Sequence, residues 1–227
     1  MPVEPPLSAL EARVLGCLIE KELATPDVYP LTLNALVNAC NQRNNRAPLM
    51  SVGPREVEVA LEELRRKQLV TFFGGAESRV PKFKQKLEVA FPMETAARAI
   101  VGELLLRGPQ TTAGARANAE RLCAMPDLIE IEAMLAELAA RPAGALVRKL
   151  PRQPGQKEAR WAQLLTGEPA GGADGAETND EATSAGGTRP LTVAITLPEE
   201  AERRLAALEA EVAQLRAELT RLREELG

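Results

Sequence analysis

A nine-residue stretch occurs twice in this chain, and that recurrence limits the fold more than any other feature. Glu56-Val-Glu-Val-Ala-Leu-Glu-Glu-Leu64 aligns without gaps to Glu130-Ile-Glu-Ala-Met-Leu-Ala-Glu-Leu138, 74 residues on, with five identities. Each copy has the apolar spacing of one helical face. Each is preceded by two further helical segments and followed by two short extended runs around a turn. Similar units at a fixed offset are the mark of an internal duplication.

The first unit opens with Ser8 and Glu11, the spacing of a capping box, ahead of the stripe Leu10, Val14, Leu15, Leu18 and Ile19. A second helix is predicted from about Thr32, with Leu33, Leu36, Val37 and Cys40 inward. A third starts near Pro54, a residue suited to a first helical turn, with Val57, Ala60, Leu61 and Leu64 inward. The period then changes. Leu69–Phe73 and Arg79–Leu87 read as strands about a Gly74–Gly75 turn. The second unit repeats the order, with helices over Glu94–Arg107, Thr111–Cys123 and Asp127–Arg141. Its strands are Leu146–Leu150 and Glu158–Leu165, around a Pro151–Gly155 turn. Three helices and a hairpin form a winged helix-turn-helix. The predicted fold class is therefore mainly α with small β wings. It comprises two tandem winged-helix domains over 1–91 and 92–166, a flexible linker over 167–197 and a coiled-coil helix over 198–227.

The linker assignment rests on Thr166–Pro190, rich in Gly, Ala, Thr, Glu and Asp and nearly devoid of large apolar residues. Leu191, Val193, Ile195 and Leu197 alternate with small or polar residues. They fit either a strand docking on a domain or the apolar end of the linker. In the tail, Leu205, Leu208, Val212, Leu215, Leu219, Leu222 and Leu226 alternate spacings of three and four, the a and d positions of a heptad. A parallel pair would oppose Arg204 to Glu209, Glu211 to Arg216 and Glu218 to Arg223, all attractive. The expectation is a homodimer through these residues. A single amphipathic helix lying on its own domain is the alternative.

Composition narrows the function. No histidine is present, which removes the commonest general base and zinc ligand. The three cysteines, Cys17, Cys40 and Cys123, have no CxxC spacing and read as small buried hydrophobes. No phosphate-binding or dinucleotide fingerprint occurs, and no nucleophile-base pair is visible. The expectation is a protein without enzymatic activity, cofactor or metal. The start lacks a signal-peptide pattern and no apolar run approaches a membrane span, so a cytoplasmic location is expected, with no membrane partner. The net charge of −4 is uneven: residues 1–91 carry +1, 92–166 carry +2 and 167–227 carry −7. The acidic balance belongs to the tail, and the folded part is mildly basic.

Leu31-Thr-Leu-Asn-Ala-Leu-Val-Asn-Ala-Cys-Asn-Gln-Arg-Asn-Asn-Arg-Ala-Pro48 and Leu150-Pro-Arg-Gln-Pro-Gly155 resemble signatures of the bacterial YceH family. The resemblance covers about residues 6–165. It implies a tandem winged-helix fold and no established activity.

The candidate binding residues follow from residue chemistry. Asn41, Gln42, Arg43, Asn45 and Arg46 lie in the corner before the third helix, where a winged helix faces a nucleic-acid groove. Asn and Gln can pair with adenine, and Arg with guanine or phosphate. Asn38 and Asn41 also fit a capping role. Arg55 opens the third helix. Arg79, Lys82, Lys84 and Lys86 lie on the first wing, where the lysines suit phosphate contact or, alternatively, protect an edge strand. The second wing carries Arg148, Lys149, Arg152, Lys157 and Arg160. Against a DNA partner stand Glu56, Glu58, Glu62 and Glu63 on the third helix. Two functions therefore remain open: a dimeric DNA-binding regulator or nucleoid factor, and a non-catalytic scaffold that binds another protein.

Overall fold

Helix α1 (Ala9–Ala24) organises everything around it. The computed structural model describes residues 3–73 and 80–168 of the chain. The Ser8–Glu11 capping box is present, with Glu11 N–H donating to Ser8 Oγ at 3.2 Å and Ser8 N–H donating to Glu11 Oε2 at 3.1 Å. Every residue from Glu11 to Glu20 is buried, on all sides of the helix and not only along the predicted stripe. A helix buried all round is enclosed by neighbours on both faces.

The first neighbours are α2 (Leu33–Cys40) and α3 (Pro54–Arg66). Thr32 caps α2 by accepting from Ala35 N–H, and Pro54 opens α3 as expected. A three-stranded antiparallel sheet follows, in the order β1-β3-β2, with β1 Leu31–Thr32, β2 Val70–Phe73 and β3 Lys82–Gln85. The expected turn at Gly74–Gly75 and the residue Arg79 lie outside the described residues. The second strand is shorter than the predicted Arg79–Leu87. At Lys86 the chain enters the short helix α4 (Leu87–Ala90), because the Gln85 side chain accepts Leu87 N–H at 2.6 Å and turns the backbone.

The second set comprises α5 (Thr95–Arg107), α6 (Thr112–Ala119) and α7 (Leu128–Ala139), then a two-stranded antiparallel sheet of β4 (Val147–Lys149) and β5 (Trp161–Gln163). The predicted first residues Glu94, Thr111 and Asp127 are the N-caps of these helices. Gln110 forms an isolated bridge to Trp161, in the place that β1 holds against β3 in the first set. The observed fold is mainly helical with small antiparallel sheets, in winged-helix-like order.

The two sets share one continuous core. Helix α5 lies directly on α1, and its Gly102 and the Gly16 of α1 permit the close approach. A Cβ on Gly16 would sit 2.9 Å from Leu106 Cγ, and one on Gly102 would sit 2.9 Å from Ile19 Cγ2. Residues 3–168 fall within a single compact unit. Cys17 and Cys40 are fully buried and Cys123 half-buried, in line with their reading as hydrophobes. Among the described residues no helix is long and apolar enough to cross a membrane.

Candidate nucleic-acid interface

The corner Asn41–Arg46 begins where α2 stops. Asn41 stands at the C-cap, and its amide closes a two-way bond with the backbone of Val52: Nδ2 donates to the Val52 carbonyl and Oδ1 accepts from Val52 N–H, both at 2.8 Å. This fixes the loop that delivers α3 and engages one donor and one acceptor of the amide. Of the two roles open to Asn41, capping is the one the structure shows.

Arg46 departs from the expectation of an exposed ligand surface. Its side chain is fully buried. Nη2 meets Glu20 Oε2 at 2.6 Å and Gln42 Oε1 at 3.0 Å, Nη1 meets Glu20 Oε1 at 3.2 Å and the Asn45 carbonyl at 2.9 Å, and Nε meets the Ala39 carbonyl at 3.0 Å. All five guanidinium donors are thus used within the protein. A buried guanidinium needs this complete satisfaction, and so the sequence around it is rich in carbonyl and carboxylate partners.

The corner also ties the two helical sets together. Asn45, held at a φ of 61°, accepts through Oδ1 from the Arg107 guanidinium at the end of α5. Ala47 N–H donates to the Leu106 carbonyl at 2.8 Å. Arg121 bridges Glu20 of α1 and Glu103 of α5, at 2.7 and 2.5 Å. Burial alone would raise the Glu20 carboxyl, but the hydrogen bonds and charge of Arg46, with Arg121 and Lys21, bring it down to about 2. At Glu103 burial wins over Arg121 and Arg107, and the nearby Glu20 adds to it, so that carboxyl lies above its ordinary range. Glu20, Glu103, Arg107 and Arg121 were not legible as partners in the sequence, because they come from elements distant along the chain.

What remains exposed is a different set. Gln42 and Arg43 face solvent, the former bonded to Arg46. Arg55 is exposed at the start of α3. On the same helix Glu58, Val59 and Glu62 are exposed, Glu63 pairs with Arg66, and Glu56 accepts from Gly53 N–H at 2.7 Å. On the wing, Phe83 and Gln85 of β3 point inward while Lys82 and Lys84 point outward, as the alternation predicted. Cross-strand pairing places Thr32, Phe73 and Thr71 on the lysines' face. Lys86 is the N-cap of α4 and leaves that row. Because β3 is the central strand, these lysines do not protect an edge. Phe72 packs on Phe83 with ring centroids 5.1 Å apart and carries the Arg65 guanidinium over its ring at 3.9 Å. On the second wing Arg148 pairs with Glu168 and Lys149 with Glu132, while Arg152 and Lys157 are exposed and Arg160 is half-buried. Among the described residues no group of three or more Cys, Asp and Glu side chains could hold a metal ion.

A family model described as "Protein of unknown function, DUF480" matches residues 7–156. A UPF0502 protein of Geobacter sulfurreducens is 47% identical over 207 residues, covering 91% of this chain and 89% of its own. One of Dechloromonas aromatica is 44% identical over 209 residues, 92% of each chain. One of Geotalea daltonii is 51% identical over 163 residues, 72% of this chain and 74% of its own. The chain belongs to the DUF480/UPF0502 family. The YceH proteins are the same family, so the resemblance carried by Leu31–Pro48 holds. In this UPF0502 member, Asn41, Asn45 and Arg46 of that segment serve the architecture: they fix the loop that delivers α3 and tie it to α1 and α5. Among the candidate residues, Gln42, Arg43 and Arg55 face solvent and Lys82, Lys84 and Lys86 are half-exposed.

Proposed function

We propose that this chain is a non-catalytic nucleic-acid-binding protein. Its two helical sets, 1–91 and 92–166, act as tandem winged-helix units, and a parallel coiled coil over 198–227, which lies outside the described residues, makes it a dimer. One observation carries the reading: Lys82 and Lys84 project from the outer face of the central wing strand, beside Thr32 and Thr71, and neither is paired with a carboxylate among the described residues. Unpaired cations on a rigid strand suit phosphate oxygens. Arg43 and Arg55 extend the contact. With Asn41, Asn45 and Arg46 engaged internally, the binding is directed to the backbone of the nucleic acid, with little base readout. The exposed Glu58 and Glu62 on α3 support the same restriction, because carboxylates repel a phosphate-lined groove.

The test is an anisotropy titration of the full chain with a random-sequence duplex at two salt concentrations. Neutralising Lys82 and Lys84 as Lys82→Gln and Lys84→Gln should weaken binding to all sequences alike. It should also reduce the slope of log affinity against log salt by about one per neutralised lysine. Absence of salt-dependent binding by the full chain would overturn the proposal. The remaining reading would then be a protein scaffold, whose partner should be lost when Glu58 or Glu62 is reversed in charge.

A further inference from the structure

The duplicated helices differ where they face outward. Positions that hold Arg55, Val59 and Glu62 on α3 hold Ile129, Ala133 and Ala136 on α7. Ile129 is 81% exposed and Leu128 48% exposed, both in the first turn of α7. They border an open groove of about 510 Å³ between α6 and α7. Its lining includes the exposed Ala113, Ala133 and Ala136, small residues that allow another backbone to come close, together with Glu132 and Glu158. No lysine or arginine lines it. Glu132 is already held by Lys149, Thr112 and Trp161. Glu158 is exposed and has no hydrogen-bond or ion-pair partner among the described residues.

An apolar groove whose lining holds two carboxylates and no cation does not attract phosphate. Leu128 and Ile129, adjacent and open to water beside an apolar groove, form a contiguous patch of the kind that marks an interaction surface. We propose that the α6–α7 groove docks an amphipathic helix of a partner protein. The helix lays aliphatic side chains at i and i+3 or i+4 against Ile129 and the three alanines, and places a lysine or arginine against Glu158. All the lining residues but Glu158, which precedes β5, belong to the helices α6 and α7, and a groove between two helices suits a third helix better than an added strand. Charge complementarity sets the sign: the unpaired Glu158 selects a basic flank.

The probe is a displayed library of helical peptides selected on the full chain, with individual peptides then titrated by anisotropy. Enriched peptides should share an aliphatic i, i+3 or i+4 pair with an adjacent Lys or Arg. Ile129→Asp should weaken them about tenfold or more, since it removes the central apolar anchor. Ile129 is so exposed that this variant stays folded, which circular dichroism checks. Glu158→Lys, a second exposed position, should weaken basic peptides and spare versions with the cation removed. Lys82→Glu and Lys84→Glu should leave peptide binding unchanged, so loss of the nucleic-acid reading and loss of this one are separable. The proposal is overturned if no peptide is preferred over the Ile129→Asp variant or if the enriched peptides are acidic. Sedimentation showing that Ile129 instead mediates self-association would overturn it equally.

Discussion

Arg46 and Glu20 face each other in the interior, each with its polar atoms engaged. A pair of this kind is costly to form and more costly to break, because removal of one partner leaves a buried charge uncompensated. Glu20→Gln or Arg46→Met is therefore expected to destabilise the fold by about 3–5 kcal/mol in urea unfolding. A loss below about 1 kcal/mol would show that water reaches the pair. The pH dependence has a definite sign. The Glu20 carboxyl is lowered from 4.5 to about 2, so its contribution is complete above about pH 4.5 and fades as the pH falls toward 2. Glu103 is shifted upward, so its ionised form opposes folding at neutral pH. Glu103→Gln should accordingly cost less than Glu20→Gln at pH 7, and the gap should narrow in acid.

At the scale of elements, the α1–α5 contact depends on two glycines. Alanine is the better helix former, by about 1 kcal/mol. At Gly16, however, a Cβ would meet Leu106 Cγ and Cδ2 at 2.9 Å and Leu105 Cβ at 3.1 Å, so two side chains must move. Overpacking costs about 1–3 kcal/mol. Gly16→Ala should lower the thermal midpoint despite its propensity gain. Gly102→Ala should do so less, since it crowds Ile19 alone. A rise in midpoint for Gly16→Ala would mean that α5 can shift on α1. The capped helix starts and the inward stripes of α2, α3 and α7 were legible residue by residue, because caps and periodicity are local physics. The burial of α1 on every side was not, since Arg13, Gly16 and Glu20 read as a polar or neutral flank until α5 and the corner cover them.

For the whole molecule, the shared core predicts joint unfolding. A chain of residues 1–166 should unfold in a single transition, whereas 1–91 alone would expose the α5-facing side of α1, including Ile19 and Gly16. That fragment should show reduced ellipticity and a tendency to associate, as judged by circular dichroism and sedimentation; a well-folded 1–91 monomer would show that the first set is autonomous. The 1–166 chain should also sediment as a monomer and the full chain as a dimer if the heptads assemble the dimer proposed above. The order of helices and hairpins and the outward row of Lys82 and Lys84 were determined by the sequence alone, because each depends on spacing within a few residues. Only the tertiary structure decided that Arg46, Asn41 and Asn45 hold the corner to α1, α3 and α5. A side chain's chemistry shows what it can bind, but whether it meets water, a ligand or a buried carboxylate depends on which distant segment packs against it.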